Sequence, residues 1–498
     1  MNLGINLADY QNASLDNKAL PGIAATTQEQ LQELSKALEA QSITGQGTLN
    51  STTASGAPLK VESLDKTLKL ITFKESNIVL WKKIPKLPAY NTVEEYNQLS
   101  SYGTERGGFI LEGELPNEED STYVRKSQLV KYLGVTKSVT HPMTLVNTMV
   151  GNVIDREVKN GTLWILRKLD RALTNADSTI VPEEFNGLYA QHQQNDAFAT
   201  FNDYMNSEVV VDLRGASLTE ASIEDAAEGI VENFGVGTEL FAPPKVLSGF
   251  VKNFYGNKFI MPNTEQTAAG LMGQRVEGFD SQFGRINLNW DIFQNKANSK
   301  TTATATTSAN APAVPVAAGA GAAPVGATVA NNKWAASDGG TYYYAVVAIN
   351  RFGESALTVL NPGGLITIVA GGAADLEFVA GVGANAATGY TIYRSNKAAT
   401  STGAAIFYPL FTISATQLAN GYDGGAAGHV RDLNRFMPNT NQAFLIDNSE
   451  EVHAFRQLAP LMKMDLAIIS PAYRFMVLHY GTPLLFAPKK MVRFINVG

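Results

Sequence analysis

Residues 89 to 140 constrain this chain more than any other stretch. Two extended segments, Tyr90 to Leu99 and Tyr123 to Thr140, flank a tip rich in glycine and charge, Ser101-Tyr102-Gly103-Thr104-Glu105-Arg106-Gly107-Gly108. The pattern reads as one long hairpin. Neither arm carries a strong apolar face, and a two-stranded hairpin of this kind is marginal alone. It is therefore expected to lie across something else. The acidic run Glu118-Glu119-Asp120 in its return limb reads as a solvated loop rather than a metal site.

The hairpin runs into the strongest helical pattern of the chain. Pro142 opens it. Val146, Met149, Val150, Val153, Ile154, Val158, Trp164, Ile165, Leu169 and Leu173 recur at a helical period. Asp155, Arg156, Lys159, Arg167 and Lys168 mostly take the other positions. The spacing predicts a helix over 142–176, a rod of roughly 50 Å at ~1.5 Å per residue. Gly151 and Gly161 weigh against a straight, unbroken rod.

Upstream, residues 1–60 read as an arm. Thr26 and Glu29 form a capping-box pattern before Leu31, Leu34 and Leu38, the stripe of a short amphipathic helix. A Gly/Ser/Thr/Asn tether from Thr44 to Pro58 follows. A helix on a tether has nothing local to pack against, so its stripe is expected on a distant surface or another subunit. Leu64, Leu68 and Ile71 then suggest a short helix, Ile78 to Trp81 a strand, and Pro85 and Pro88 a break.

Residues 180–295 read as mixed α/β. Ser217 and Glu220 make a second capping-box pattern before Ile223, Ala226, Ala227, Ile230, Val231 and Phe234. Pro243 and Pro244 open a helix over Val246 to Tyr255. Gly284 starts the period-two alternation of a strand ending at Trp290.

Near residue 300 the composition changes. Ala309 to Leu433 holds 11 charged residues in 125, while the remainder holds 74 in 373, that is 85 minus 11. So large a drop marks a separate unit. It opens with an Ala/Thr/Pro/Gly tract, Thr301 to Val329, expected to hold no core. It continues as strands at Tyr342 to Asn350 and Tyr390 to Arg394, with Tyr342, Tyr344, Val346 and Ala348 on one face. Residues 301–437 thus read as an inserted β-domain. After it, Tyr473 to His479, Leu484 to Ala487 and Met491 to Val497 read as strands.

Several function classes drop out on composition. The chain has 498 residues, enough for about three domains. The absence of cysteine excludes disulfides, thiolate metal sites and cysteine nucleophiles. A net charge of −7 does not suit wrapping nucleic acid through a general basic surface. No basic start precedes an apolar run, and no window approaches ~18 uninterrupted apolar residues, so a soluble protein made and kept in a cytoplasm is expected.

Motifs for chemistry are equally sparse. Gly381-Val382-Gly383-Ala384-Asn385-Ala386 matches the letters of a dinucleotide fingerprint, but Thr388 to Tyr393 turns into a strand where a helix is needed. Ser63-Leu64-Asp65-Lys66 resembles the Ser-x-x-Lys of acyl-serine enzymes without its companion motifs. The five histidines, His141, His192, His429, His453 and His479, are scattered. His453 and His479 read as solvent-facing or hydrogen-bonded structural residues. No catalytic, cofactor-binding or metal residue is therefore expected, and no enzyme activity or cofactor.

A tethered arm, a hairpin without its own core, a lone helix and an interrupted mixed domain together describe a subunit made to interlock with copies of itself. Four stretches resemble the major capsid proteins of tailed double-stranded DNA phages, closest to those of large contractile-tailed phages with an immunoglobulin-like insertion. They are Leu70 to Phe73 through Trp81-Lys82-Lys83-Ile84-Pro85 into Thr92 to Tyr96; Gly278 to Leu288; Tyr390-Thr391-Ile392-Tyr393-Arg394; and Leu458 to Lys463 through Tyr480-Gly481 to Ala487-Pro488-Lys489-Lys490. Their order and spacing over residues 60 to 498 carry the resemblance.

The resemblance implies an α+β chain of the Hong Kong 97-type phage capsid fold plus an inserted all-β immunoglobulin-like sandwich. It implies an N-terminal arm at 1–60, a first part of the peripheral domain at 61–88 and an E-loop at 89–140. It places the peripheral domain's spine helix at 141–179, the axial domain at 180–300, the insertion at 301–437, the axial return at 438–468 and peripheral C-terminal strands at 469–498. In the usual sandwich order a Tyr-x-Ile-Tyr-Arg strand precedes a strand like Tyr342 to Ala348. Here the order is reversed, as in a permuted sandwich.

The implied function is self-assembly into hexamers and pentamers of an icosahedral head around double-stranded DNA, in the virion, after assembly in a bacterial cytoplasm. The implied partners are further copies of the chain, portal, scaffolding and decoration proteins, and DNA through non-specific contact, with no membrane. The family's prohead-protease site is matched only loosely by Leu31-Gln32-Glu33, and its Lys–Asn cross-link maps to no pair here. Another virion structural protein, such as a tail component, a nanocompartment shell of the same fold and a secreted carbohydrate-binding enzyme are the rival readings.

Overall fold

The computed structural model describes residues 72–103, 108–116, 118–146, 152–193, 209–257, 276–294, 298–326, 329, 331–362, 364–397, 401–468 and 470–498. The chain divides into Met1–Leu70 and Ile71–Gly498. The expected arm, its Thr26–Glu29 cap, the tether, the helix at Leu64 to Ile71 and the Ser63–Lys66 pattern lie outside the described residues.

Ile78 and Leu80 are the first buried apolar residues. The expected strand at Ile78–Trp81 is instead a helical turn, α1 (Leu80–Lys83). The Trp81 amide donates to Asp170 Oδ1 at 2.7 Å, which fixes the turn against a later helix. Strand β1 (Lys86–Pro88) follows.

The hairpin forms, but shorter than expected. β2 (Val93–Ser101) and β3 (Thr122–Leu129) pair antiparallel from Val93 opposite Leu129 to Ser101 opposite Thr122. The return limb breaks at buried Val130, whose amide donates to Thr92 O. β4 (Lys131–Thr140) then leaves the hairpin for another sheet.

The predicted 142–176 helix is two helices. α2 (His141–Leu145) stops where Val146 takes an extended conformation. α3 (Val153–Asn175) starts afresh at Asn152, whose side chain accepts the Ile154 amide. Its 23 residues span about 35 Å. Gly151 lies outside the described residues. Gly161 lies within it, where a Cβ would sit 3.2 Å from Val477 Cγ2, so the glycine lets the helix close on a sheet.

That sheet has the order β1-β20-β21-β4, with β20 (His453–Asp465) and β21 (Ala472–Leu485) antiparallel at its centre. Ile165 of α3 packs on Phe475 and Val477, with Leu133 and Val135 of β4 beside them. The two strands expected at Tyr473–His479 and Leu484–Ala487 are one continuous strand, β21, ending at Leu485.

α4 (Leu188–Gln193) leads to a six-stranded sheet of order β5-β22-β19-β6-β8-β7. Its strands are β5 (Val210–Asp212), β6 (Glu239–Ala242), β7 (Gly278–Ser281), β8 (Gly284–Trp290), β19 (Asn441–Ile446) and β22 (Met491–Val497). α5 (Glu220–Glu232) and α6 (Pro244–Asn257) cover it through Ile223, Ala226, Ile230, Val246 and Phe250. The cap of α5 is Thr219 with Ser222, not Ser217 with Glu220. Leu218 is fully buried just before it, and the Ser222 hydroxyl takes the reciprocal role expected of a glutamate.

The sheets divide differently from the expected boundary at 468/469. β20 was expected with residues 180–300 but lies in the four-stranded sheet. β22 was expected with the peripheral strands but joins β5 and β19 in the six-stranded sheet. Alternation alone marks a strand without naming its neighbour, and both sheets bury apolar strands.

Between β8 and β19 the chain makes two larger sheets beside a two-stranded pairing of Gly340–Tyr342 with Ile366–Ile368. One has the order β18-β15-β9, from β9 (Val316–Val325), β15 (Ala373–Val379) and β18 (His429–Asp432). The other is built on β11 (Tyr344–Asn350), β16 (Gly389–Ser395) and β17 (Phe407–Ser414). Tyr344, Val346, Ala348, Tyr390 and Ile392 share a core with Leu376, Phe378 and Val430 of the first sheet. The Phe378 and Tyr390 rings meet edge to face at 5.2 Å. The Ala/Gly tract, expected to hold no core, supplies β9 and buries Ala322. Small residues are needed there because Leu360 O lies 1.9 Å from where a Gly321 Cβ would sit, at φ +68°.

The inserted unit is welded on rather than tethered. Val209, Val210 and Ile495, at the β5–β22 edge, belong to the same core as Leu410, Ile413 and Phe436. Arg214 reaches from beyond β5 to Asn434 O (2.7 Å), Lys333 O (2.6 Å) and Asp338 Oδ2 (2.9 Å). Arg394, almost fully buried, donates to Asp432 Oδ2 and Asn434 Oδ1 at 2.8 Å each and lies over the Trp334 ring at 4.6 Å. The Tyr344 hydroxyl donates to the same Asp432 oxygen at 2.7 Å. Arg394→Leu leaves Asp432 buried without its cation. It is expected to lower unfolding stability by about 3–5 kcal/mol in chemical denaturation, whereas Arg351→Leu, at an exposed ion pair, shifts it by under about 1 kcal/mol.

Candidate assembly surface

Two groups of open apolar side chains lie on the hairpin and on the outer face of one sheet. Alternation divides the hairpin into two faces. Glu94, Tyr96 and Gln98 face inward and are half-buried. Tyr96 donates its hydroxyl to Leu485 O at 3.3 Å, its ring meets Phe486 edge to face at 5.0 Å, and Gln98 Nε2 donates to Phe486 O. Burial pushes the Tyr96 phenol up to about 12. Asn186 Nδ2 donates to Gln128 Oε1 from the opposite side. These contacts seat the inward face of the two strands.

The outward face has the pairs Val93–Leu129 and Leu99–Tyr123 toward its two ends, with Arg125 bridging Glu95 and Asn97 between them. All four apolar side chains are exposed. Beyond the strands, the described part of the tip presents Phe109 at 103 %, Leu111 at 71 % and Leu115 at 91 % exposure. Monomeric proteins rarely leave large apolar side chains grouped this way. The sequence shows that the hairpin lacks a core and marks its tip as glycine and charge; the apolar residues just beyond Gly108 lie outside that pattern. The acidic run 118–120 is exposed.

A second open surface is the outer face of the four-stranded sheet, opposite α3. Register places Tyr132 beside Tyr480, Gly134 beside Leu478 and Thr136 beside Met476, with Met462 and Met464 on the next strand. The Tyr132 and Tyr480 rings meet at 4.9 Å. Leu478 leans over Gly134, where a Cβ would come within 2.5 Å of its Cδ2. Tyr132 and Met464 stay exposed.

The five histidines sit in different surroundings. His453 and His479 are buried, and the His479 ring packs edge-on against Trp81 at 5.2 Å. His192 is buried with Nε2 2.9 Å from Met491 O. His429 Nδ1 lies 2.7 Å from Asp375 Oδ2, and exposed His141 stacks on Tyr473. Among the described residues no three His, Asp or Glu side chains are grouped to hold a metal ion. No helix among them is long and apolar enough to cross a membrane. The Gly381–Ala386 loop is followed by β16, not a helix. Gly381 is required because its Cβ would sit 2.2 Å from Val314 O.

Desolvation pushes His192 down to about 3 and His453 and His479 down to about 4. The unfolded chain then binds more protons than the folded one below the ordinary histidine value of about 6.5. Their stabilising contribution is complete above that value and is lost as pH falls toward 4. Thermal melts are expected to show this decline, and His453→Gln with His479→Gln to flatten it relative to the parent.

Known proteins resemble this chain along most of its length. The major capsid proteins of Staphylococcus phages K and S25-3 are each 26 % identical over 467 residues, covering 91 % of this chain and 93 % of theirs. Among solved structures, the capsid of a native GTA particle covers 90 % of this chain and 99 % of its own at 7 % identity and a TM-score of 0.45. The SrpI encapsulin of Synechococcus elongatus PCC 7942 covers 89 % and 95 % at 8 % identity and a TM-score of 0.40. The family model described as SU10 major capsid protein matches residues 42–311, more than half of the chain. With that match, the chain belongs to the SU10 major capsid protein family.

Proposed function

We propose that this major capsid protein builds the icosahedral head of a tailed phage from hexamers and pentamers, with a structural rather than catalytic role. The observation that carries the reading is the hairpin tip. Phe109, Leu111 and Leu115 face water in the single chain, and burying each such side chain stabilises by about 1.5–3 kcal/mol. A neighbouring copy supplies the missing cover. Repeated over a closed shell, these individually modest contacts hold the wall together.

The parts then take the roles of a Hong Kong 97-type subunit. β2 and β3 with their tip are the E-loop reaching over an adjacent copy. α3 is the spine of the peripheral domain, whose sheet is β1-β20-β21-β4. The six-stranded sheet with α5 and α6 is the axial domain around the five-fold and six-fold positions. Residues 1–60 are the N-terminal arm. Residues 301–437 are an immunoglobulin-like sandwich on the shell exterior, held rigid through Arg214, that decorates or stiffens the wall.

Double-stranded DNA has a persistence length of ~50 nm, so tight packing loads the wall from inside. Overlapping hairpins and arms spread that load between subunits. The net charge of −7 suits a container that touches its cargo without gripping it. Portal, scaffolding and decoration proteins are the further partners, and assembly takes place in the bacterial cytoplasm.

Expression of the full chain is expected to give closed shells by electron microscopy. Phe109→Asp combined with Leu115→Asp is expected to leave circular dichroism unchanged and reduce shell yield at least tenfold. Undiminished shells from that variant would remove the hairpin from the assembly contact.

A further inference from the structure

Two aspartates far apart in sequence meet at the junction of the spine helix and the six-stranded sheet. Asp170 lies on α3, and Asp291 follows the last residue of β8. Both are completely buried. Each is tied to the backbone: Asp170 Oδ1 accepts the Trp81 amide at 2.7 Å and Asp291 Oδ1 accepts the Phe293 amide at 2.8 Å, with the Val79 and Gln294 amides also facing the two carboxyls. The two Oδ2 atoms have no other partner, and the carboxyl groups lie within hydrogen-bonding reach of one another. Two ionised carboxylates cannot stay together in such a place, whereas one proton between the Oδ2 atoms satisfies both.

The surroundings supply little neutralising charge. From α1, Lys82 faces the pair, but it is half-exposed and also reaches Glu75; Lys83 is paired with Glu239 of β6 at 2.8 Å. From α3, Arg167 lies over the Phe73 ring, and Arg171 lines the cleft toward the inserted unit. From β21, His479 meets the pair's neighbour Trp81 edge-on. On the β8 side, Asn287 and Asn289 are held by Glu239, and Gln294 donates to the Tyr189 hydroxyl at 2.7 Å. Burial raises both carboxyls above their ordinary values, and the Asp170 charge raises Asp291 further.

We propose that Asp170 and Asp291 share one proton and form a proton-dependent latch joining α1, α3 and the end of β8, so that its loss with rising pH loosens the junction between spine helix and six-stranded sheet. The folded chain holds a proton that the unfolded chain has already released above the ordinary carboxylate range of about 4. The latch therefore contributes fully below that range and is lost as pH rises through neutrality. The buried histidines act in the opposite direction below about pH 6.5, which leaves the interval above that value as the clean window.

The test uses the purified full chain and its Asp291→Asn and Asp170→Asn variants. In either, the amide keeps the backbone-accepting oxygen and donates to the other carboxylate, imitating the latched state at every pH. Between about pH 6.5 and 8.5 the parent melting temperature is expected to fall, and the variants to lose most of that slope. Hydrogen exchange at the Trp81 amide should accelerate with pH beyond its intrinsic rate only in the parent. Infrared spectra of the parent at pH 6.5 should contain a buried carboxylic-acid carbonyl band that is absent from Asp291→Asn. Parallel melting profiles, or no such band in the parent, would overturn the latch. Should both variants fail to fold, the parent's band and Trp81 exchange decide the question alone.

Discussion

A two-stranded ribbon has two faces and can hide neither by itself. In this chain the inward face of β2 and β3 rests on the body through Tyr96, Gln98 and Gln128. Among the described residues, the outward face and the tip have nothing to rest on. The long four-stranded sheet keeps the hairpin in that position: β4 pairs along β21 from Lys131 to Thr140, so the return limb is anchored over ten residues directly after leaving the ribbon. Anchoring the base while leaving the tip exposed is unfavourable for a monomer and suits a subunit whose neighbours are copies of itself.

The remaining architecture gives that projection a rigid platform. α3 approaches the sheet closely at Gly161 and buries Ile165, Leu169 and Leu173. The six-stranded sheet meets the inserted unit through a shared apolar core and the Arg214 contacts, while Arg394 ties together the two sheets within that unit. A force applied at the hairpin is therefore passed through packed side chains rather than through a flexible joint. Buried ion pairs such as Arg394 with Asp432 are weak evidence of net stability, but their fixed geometry specifies one relative orientation of the sheets they join.

Much of this was legible in the sequence because it depends on local periodicity. The hairpin, the helix over Val153–Asn175, the helix opening at Pro244, the strand beginning at Gly284 and the interruption near residue 300 all announce themselves within a few residues. What was not legible depends on distant partners. The strand expected at Ile78–Trp81 gives way to the turn Leu80–Lys83, held in place by the Trp81 amide's bond to Asp170. β20 and β22 exchange sheets because the identity of a strand's neighbour is a tertiary fact. The Ala/Gly tract becomes β9 because an adjacent backbone leaves room for nothing larger than glycine at residue 321. Of the open surfaces, the missing core of the hairpin was readable. Phe109, Leu111 and Leu115 were hidden by their irregular spacing, and the Met462–Met464–Met476–Leu478 face by the need to know strand register.

The central claim is that a second copy covers the hairpin tip. An electron cryomicroscopy map of the assembled particle at side-chain detail tests it most directly. The expected map shows an icosahedral shell in which Phe109, Leu111 and Leu115 are packed against an adjacent subunit. A shell with these three side chains in solvent, or folded back onto their own chain, would contradict it.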